Sequence, residues 1–386
     1  MRKYGILTLL ALVLAATAAF VSWPCLVRCK TAPTLNKGNK WRIVYYEGGR
    51  YSDYDLTLSA TIKGLASLGW IDESFLPKNF DKLSNRQVWD ELSKCNNLKY
   101  LLFLSDGFYS SDWRSEARAR NREALLKRLS GERDVDLVIA MGTWAGKDLA
   151  NNLHKTPVLV MSTSDPVRAG IIKSPEDSGF DHVFARCDPK RFERQVRLFH
   201  RLFGFKKLGM VFEDSELGRL YSAWVDVKKV ADERGFTVIP CYASEPDIPE
   251  DELIRQYKNC YTWLSSRVDA IWITGTSGNQ PKHIPYYLPV FLASKLPTWS
   301  MSHDSSVISH GILMALSKSD FTAIGKFQAE VMAKIFNGEK PGKLNQTFED
   351  MNTIAVNSKV AKIIQFEIPN SIIRIADPVY NEIESQ

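Results

Sequence analysis

Short apolar segments alternate with longer amphipathic segments along the first half of the chain. The run WRIVYY at 41–46 has the composition of a buried strand, and apolar residues with helical spacing follow it as far as Gly69. The alternation continues with strands predicted near 100–104, 135–141 and 157–161 and helices predicted near 116–129 and 144–153. Strands that alternate with helices are typical of βαβ units built around a mainly parallel sheet.

A second series of the same kind begins near residue 192. It predicts strands near 208–212, 236–241, 268–273 and 298–301 and helices near 192–203, 217–234, 251–265 and 284–294. A chain of 386 residues is long enough for two lobes that each bury a core of their own. We therefore predict an α/β fold of two doubly wound parallel-sheet lobes, joined by a hinge, with an interlobe cleft at the carboxyl ends of both sheets.

The N-terminus has the order of residues found in export signals. Arg2 and Lys3 precede an uncharged apolar run at 5–21, which contains small residues at 16–18. This order predicts a signal peptide at 1–22, with an uncleaved membrane anchor as the alternative, followed by a linker at 23–39. Pro24 before Cys25 argues against a lipoprotein, which needs a small residue there. We expect an exported protein, periplasmic or extracytoplasmic, with or without an N-terminal membrane anchor.

Charge and cysteine content narrow the set of partners. The formal charge is +6, and Lys and Arg are spread along the chain instead of being concentrated in one stripe, so we expect no nucleic-acid partner. The six cysteines include no CxxC pair and no Cys/His cluster with zinc spacing, so we expect no metal site. In an exported protein some cysteines can be oxidised, and Cys241 with Cys260 is the first pair to test. The sequence leaves open whether these two cysteines pair.

Ligands of open α/β sheets bind just beyond the carboxyl ends of the strands. This rule selects a set of candidate ligand-binding residues: Tyr45, Tyr46, Glu47, Gly142, Thr143, Trp144, Ser164 and Asp165 in the first series and Phe212, Glu213, Tyr221, Thr274, Thr276, Met301 and Asp304 in the second. The aromatic residues could stack on a flat or cationic ligand. The alternatives are hinge packing for the aromatic residues and ordinary turn or capping roles for the Ser, Thr, Asp and Gly residues.

Known enzyme signatures are missing from the sequence. It contains no GxSxG elbow, no GxxxxGK[ST] phosphate loop and no HExxH motif. The one His/Asp group, His303, Asp304 and His310, is more typical of a solvated loop than of a catalytic or metal site. We therefore expect no enzymatic activity and no cofactor.

A series of short motifs runs along the chain: VIAMGTWA at 138–145, TPVLVMSTSDPVRAG at 156–170, DAIW at 269–272, LP at 296–297, GIL at 311–313, GKFQAEVMAKIF at 325–336, GEKP at 338–341, IAVNSKVA at 354–361, IP at 368–369 and AD at 376–377. In this order the motifs resemble those of the ABC-transporter substrate-binding family whose relatives include tryptophan- and tyrosine-uptake binding proteins. The resemblance covers about 41–380, and its Asp-Pro and GEKP elements are the most specific.

The resemblance implies a type I periplasmic binding protein with three crossovers that closes on its ligand by hinge bending. It implies a first lobe at 40–184 with 312–340 and a second lobe at 185–311 with 341–386. Gly142, Thr143, Ser164 and Asp165 match positions that line the cleft in the family. The family's Asp in a second-lobe turn is replaced by TGTS at 274–277, so Glu47, Glu213 or Asp304 would have to receive a ligand amine.

The resemblance implies an extracytoplasmic solute-binding protein of an ABC importer. It would capture a small ligand through lobe closure. The charged helix ends and tyrosines favour an amino-acid-like, aromatic or carboxylate-bearing ligand. Its partners would be that ligand and a membrane permease, and we expect a monomer. The alternatives are a membrane-tethered ligand-sensing ectodomain or accessory protein, and an extracytoplasmic enzyme that depends on His303, Asp304 and cleft serines. The sequence does not identify the ligand.

Overall fold

The computed structural model describes residues 30–77, 79–245, 247–302, 305–317, 321–349 and 352–384. The predicted signal peptide or anchor at 1–22 lies outside these ranges, together with Cys25, Cys29, His303 and Asp304. Within the described ranges, no helix combines the length and the apolar character needed to cross a lipid bilayer.

Five parallel strands form the sheet of the first lobe, in the order β2-β1-β3-β4-β5. The strands are Trp41–Glu47 (β1), Leu101–Ser110 (β2), Leu137–Met141 (β3), Val158–Met161 (β4) and Val183–Ala185 (β5). The helices between them are Ser52–Ser67 (α1), Asn85–Lys94 (α2), Ser115–Gly131 (α3) and Gly142–Leu149 (α4), with 3₁₀ turns at Glu73–Phe75 and Phe80–Lys82. Because helices cover both faces, every residue of β3 is buried.

The second lobe contains a seven-stranded sheet in the order β12-β11-β10-β9-β8-β6-β7. Its strands are Lys207–Phe212 (β6), Thr237–Tyr242 (β7), Ala270–Ile273 (β8), Thr298–Ser300 (β9), Met314–Ser317 (β10), Thr353–Asn357 (β11) and Ala376–Tyr380 (β12). Neighbouring strands are parallel except for β10 and β11, which are antiparallel. The predicted fold of two mainly parallel α/β lobes is therefore confirmed.

The helices from residue 191 onward belong mainly to the second lobe. They are Arg191–Phe203 (α5), Glu216–Tyr221 (α6), Trp224–Arg234 (α7), Glu250–Leu264 (α8), Ile284–Ala293 (α9), Ser306–Ser309 (α10), Thr322–Phe336 (α11), Ser358–Ile364 (α12) and Asn370–Ile373 (α13), with 3₁₀ turns at Ser277–Asn279, Pro281–His283 and Pro341–Lys343. Helix α11 is the exception, because it packs against α1 of the first lobe. A Cβ on Gly325 would lie 2.3 Å from the Ala60 carbonyl oxygen, so the two helices pack so closely that only a glycine fits at this position.

The chain passes between the lobes three times, as the type I fold implies. It leaves the first lobe after β5, returns between β10 and α11, and leaves again between the turn Pro341–Lys343 and β11. Strand β10 lies in the second sheet, whereas the boundaries expected from the resemblance placed 312–340 in the first lobe. Residues as late as Phe348, whose N–H donates to Cys187 O at 3.0 Å, still lie beside the first lobe.

Part of the expected linker at 23–39 packs on the first lobe. The indole N–H of Trp70 donates to Thr31 O at 2.9 Å, and that of Trp41 donates to Thr34 O at 2.7 Å. Trp70 is buried and Trp41 is partly buried, so both indole N–H groups need a hydrogen-bond partner, which residues 30–39 supply.

The helices predicted from the sequence differ from the observed ones at two places. The single helix expected at 217–234 is divided into α6 and α7, because Ala223 between them adopts a left-handed conformation with φ 55°. Helix α2 was not predicted, although Ser84 and Gln87 form a capping box at its start. The first error concerns a backbone conformation that the hydrophobic pattern does not contain, whereas the second overlooks the capping signal and the apolar Val88, Trp89 and Leu92 at helical spacing.

The cysteine pair that the sequence singled out is a disulfide. Cys241 and Cys260 are bonded, with 5.6 Å between their Cα atoms. Cys95 and the buried Cys187 are free thiols.

Two histidines pack edge to face inside the first lobe. The ring centroids of His154 and His182 lie 4.8 Å apart, and the two residues are 3% and 5% exposed. Burial lowers the pKa of both imidazoles, and that of His182 falls to about 4 because desolvation and the neighbouring His154 both oppose its protonation.

We predict that this pair makes the first lobe sensitive to acid. The unfolded histidines take up protons near pH 6.5, whereas folded His182 does so only near pH 4. The unfolded state therefore binds more protons between these values, and the free energy of unfolding falls as the pH drops through them, by about 3 kcal/mol. Urea titrations should show this fall in the wild type and in His310→Gln, a second-lobe control. They should show a smaller fall in His154→Gln/His182→Gln, and an equal one would contradict the prediction.

Candidate functional site

A cavity of about 130 Å³ lies between the lobes, where loops from the carboxyl ends of both sheets meet. Several of the candidate residues from the sequence line it: Thr143, Trp144, Ser164, Glu213, Tyr221, Thr276 and Met301. These residues come from both lobes, and most of them lie just after a strand. The strand-end rule therefore brings them together at one cavity.

Tyr45, Tyr46 and Glu47 do not line this cavity but lie beneath it. Both tyrosines are fully buried, and Glu47 is 3% exposed. The Tyr45 hydroxyl donates to Glu47 at 2.6 Å, and desolvation raises the pKa of that carboxyl. The physical reason is that β1 is an interior strand covered on both faces, so its side chains point into the helical layers rather than past the strand end.

Phe212 and Thr274 are also absent from the cavity lining. Phe212 is 1% exposed and packs in the second-lobe core, with its ring 5.4 Å from that of Trp224. The Thr274 hydroxyl donates to Val211 O at 2.7 Å and so joins the ends of two neighbouring strands. Both residues support the strand ends from which the lining loops begin.

Three candidate residues remain: Gly142, Asp165 and Asp304. Gly142 has φ +85°, and a Cβ there would lie 1.9 Å from the Tyr54 hydroxyl oxygen, so the glycine leaves room for a tyrosine of the cavity. Asp165 caps a turn by accepting from two following backbone N–H groups at 3.0 Å and borders a neighbouring cavity at the cleft rim. Asp304 lies outside the described residues.

The first-lobe side of the cavity is an aromatic wall made of Tyr51, Tyr54, Trp113 and Trp144. The indole rings of Trp113 and Trp144 meet edge to face at 5.7 Å, and Tyr54 lies 6.3 Å from Trp113. Trp113 escaped the sequence analysis because β2 extends to Ser110, whereas the predicted strand ended at 104. A correct strand end would have placed this tryptophan among the candidates.

A buried polar network holds Trp144 from behind. The Arg118 guanidinium lies 4.5 Å from the Trp144 ring centroid and donates two hydrogen bonds to Asp148, at 2.9 and 2.8 Å. The Tyr46 hydroxyl donates to the same carboxylate at 2.7 Å. Tyr46 does not line the cavity, but through Asp148 and Arg118 it orients the Trp144 ring, which does.

Two carboxylates that the sequence analysis did not select also line the cavity. Asp53, in the first turn of α1, accepts from the Ser162 hydroxyl, and its buried Oδ1 has no hydrogen-bond partner within the described part of the chain. Glu245 follows β7 and accepts from the Tyr257 hydroxyl at 2.7 Å. Burial raises the pKa of Glu245. The expected acidic partners were Glu47, Glu213 and Asp304, so the structure adds a carboxylate from each lobe.

Two guanidinium groups supply the opposite charge. Arg186 and Arg191 line the cavity just after β5, at the first passage between the lobes. Arg191 donates to Ser164 O at 3.2 Å and lies 4.3 Å from the Phe192 ring centroid. A cavity that contains carboxylates, guanidinium groups and aromatic rings suits a small zwitterion with a flat side chain.

Direct contacts join the lobes around the cavity. Arg168 of the first lobe pairs with Asp226 of α7, with 3.1 Å between Nη2 and Oδ1. The Ser115 N–H donates to Asp247 Oδ1 at 2.9 Å. The Tyr221 hydroxyl lies within hydrogen-bonding reach of Thr143. The two lobes are therefore closed onto one another.

Replacing Gly142 with alanine should lower the free energy of unfolding by more than the positive φ of this residue alone predicts. Gly142→Ala combines a positive φ with the overlap on Tyr54, whereas Gly338→Ala has φ +94° and open space around its Cβ. We expect about 1 kcal/mol of destabilisation for the control and about 3 kcal/mol for Gly142→Ala, measured by urea denaturation. Equal losses would contradict the close approach of Tyr54 to Gly142.

Solved structures similar to this chain share its two-lobed architecture. The ABC domain from Streptococcus pneumonia in complex with L-Trp has 20% identity and a TM-score of 0.66, covering 88% of this chain and 100% of that one. A conserved domain protein from Vibrio cholerae has 16% identity and a TM-score of 0.67, with the same coverage. The ligand-free, open structure of a substrate binding protein with adhesive properties from Clostridium difficile has 18% identity and a TM-score of 0.60, covering 89% and 100%.

Sequence comparison identifies the family. A tyrosine-binding protein from Clostridioides difficile (strain R20291) is 22% identical over 234 residues, which is 60% of this chain and 64% of that protein. The chain thus matches less than two thirds of the length of this curated relative. Residues 112–380, more than half of the chain, match the model of the family described as ABC transporter substrate binding protein. The chain belongs to the ABC transporter substrate binding protein family.

Proposed function

We propose that this protein is the extracytoplasmic receptor of an ABC importer and captures an amino-acid-like ligand with a flat side chain by lobe closure. One observation carries the proposal. The cavity between the lobes combines an aromatic wall, the carboxylates Asp53 and Glu245 and the guanidinium groups Arg186 and Arg191. A zwitterionic ligand has a complementary group for each of them.

The ammonium group of the ligand is assigned to Asp53. Asp53 lines the cavity, and its buried Oδ1 has no hydrogen-bond donor in the described part of the chain. A buried carboxylate oxygen without a donor is costly, and an ammonium group would relieve that cost. The carboxylate of the ligand is assigned to the arginines after β5, and its side chain to the space beside Trp144 and Tyr54. The L-Trp complex and the tyrosine-binding relative support an aromatic side chain.

The remaining properties follow from this role. A receptor of this kind works outside the cytoplasm, delivers its ligand to a membrane permease and needs no second copy of itself, because both walls of the cavity come from one chain. It performs no chemistry on the ligand. Among the described residues, no group of three or more His, Cys, Asp and Glu side chains is arranged to hold a metal ion.

The ligand class can be tested by a thermal-shift panel followed by calorimetry. The panel contains the amino acids together with tyramine, tryptamine and 3-phenylpropionate, each of which lacks one charged group of an aromatic amino acid. A ligand at about 100 times its dissociation constant adds about 2.7 kcal/mol to the free energy of unfolding. We expect an aromatic amino acid to bind and each analogue to bind at least about tenfold more weakly, since a charge-assisted hydrogen bond is lost.

Asp53→Asn should weaken that ligand by at least about tenfold, because a neutral amide replaces the partner of the ammonium group. The matched control is Asp90→Asn, on the outer helix α2, which should bind as the wild type does. Equal affinity in both variants would contradict the ammonium site. No stabilisation by any member of the panel would contradict the proposed ligand class and favour the membrane-tethered sensor or accessory role.

A further inference from the structure

The Cys241–Cys260 disulfide lies directly behind the second-lobe wall of the cavity. Cys241 is in β7, and Cys260 is in α8, one helical turn after Tyr257. Strand β7 is an edge strand, because β6 is its single neighbour in the sheet. The carboxyl end of such a strand is held by one ladder of hydrogen bonds, and the disulfide fixes that end to α8.

Tyr257 connects α8 to both loops of this wall. It is fully buried, and its hydroxyl lies 2.7 Å from Glu245 Oε1 and 2.7 Å from Thr276 Oγ1. Glu245 belongs to the loop after β7, and Thr276 to the loop after β8, and both residues line the cavity. One hydroxyl thus sets the distance between two lining loops.

Glu245 continues the connection into the loop after β8. Its carboxylate accepts from the N–H groups of Ser277 at 3.2 Å and Gly278 at 2.9 Å. A Cβ on Gly278 would lie 2.3 Å from the Tyr257 ring, so the loop rests directly on that ring. The position of Tyr257 therefore determines the position of this loop.

The same segment also contacts the first lobe. Asp247, two residues after Glu245, accepts from the Ser115 N–H at 2.9 Å, at the first residue of α3. A shift at the end of β7 would therefore move both Glu245, which lines the cavity, and Asp247, which contacts the first lobe.

We infer that the Cys241–Cys260 disulfide is a positioning element of the ligand site, which holds the Glu245 and Thr276 loops through Tyr257 and so raises the affinity of the closed cavity for its ligand. The inference rests on the proposed function of this cavity as a ligand site. Reduction by a dithiol transfers two electrons and two protons to the bond, which leaves two cysteine thiols and an oxidised cyclic disulfide reagent. The reduced protein keeps its fold and binds more weakly.

The test compares the wild type, Cys241→Ser/Cys260→Ser, Tyr257→Phe and the combination of all three substitutions in the full chain. Calorimetry with L-tyrosine and L-tryptophan measures affinity, and hydrogen exchange of the ligand-free proteins measures local opening of 242–248 and 274–279. We expect the double serine variant to lose about tenfold in affinity and to exchange faster in these two segments. Because the disulfide acts through Tyr257, adding Tyr257→Phe should cause little further loss.

Two controls separate positioning from general stability. Cys95→Ser, at a free thiol of the first lobe, should match the wild type with and without dithiothreitol. Exchange in 207–212, the neighbouring strand β6, should change much less than in the two loops. Uniformly faster exchange across the second lobe, full additivity with Tyr257→Phe, or wild-type affinity and protection in the double serine variant would each overturn the inference. If neither amino acid binds the wild type, the proposed ligand class fails, while unchanged loop protection in the double variant would still refute the positioning role.

Discussion

The cavity depends on a constraint of parallel sheets, which is that all strands of a βαβ series end at the same edge. In this chain two such edges face each other, and the three passages between the lobes keep them opposed. Loops that are far apart in sequence therefore meet across a single space. Asp53 from the first lobe and Glu245 from the second reach the same cavity for this reason.

The contacts that close the lobes are polar and individually weak. Asp226 is buried against Arg168, and its pKa is raised because desolvation outweighs the pairing with the guanidinium group. An ion pair of this kind contributes little net free energy, since removing the charges from water opposes their attraction. The Ser115–Asp247 hydrogen bond is similar in scale. Under the proposed function, weak contacts of this kind would let a ligand that bridges both walls decide between open and closed lobes.

Support for the cavity is organised differently in the two lobes. In the first lobe a hydrogen-bonded network of Tyr46, Asp148 and Arg118 holds Trp144 from behind. In the second lobe Tyr257 and the adjacent disulfide hold two loops at an edge strand. The interior strand β1 needs no covalent support, because strands lie on both sides of it, whereas the edge strand β7 lacks one neighbour.

Hydrophobic patterning predicted the two lobes well, because buried parallel strands are short apolar runs between amphipathic helices. The strand-end rule also selected Thr143 and Trp144, at the start of α4, and Tyr221, at the end of α6, and all three line the cavity. The same rule also selected Tyr45 and Tyr46, although both lie inside β1, where their side chains point into the helical layers. It missed Trp113 because β2 is longer than its apolar run, so the predicted strand ended at 104 and not at 110. Asp53 and Glu245 resemble ordinary helix-start and loop acids in sequence, and only their burial in three dimensions distinguishes them.

The division at Ala223 shows a further limit. The apolar spacing is continuous from α6 to α7, so the pattern contains no sign of the left-handed residue between them. Yet this break ends α6 at Tyr221, whose hydroxyl reaches Thr143 across the cleft. A backbone feature that patterning cannot detect thus positions a residue of the interlobe contact.

Ligand-driven closure is the central claim, and small-angle X-ray scattering of the purified protein tests it most directly. The account predicts that a saturating aromatic amino acid reduces the radius of gyration by about 1 Å, as the population shifts from open to closed lobes. The reduction should be smaller in Arg168→Ala, which removes a contact of the closed state. Identical scattering with and without a ligand that calorimetry shows to be bound would contradict closure as the mode of capture.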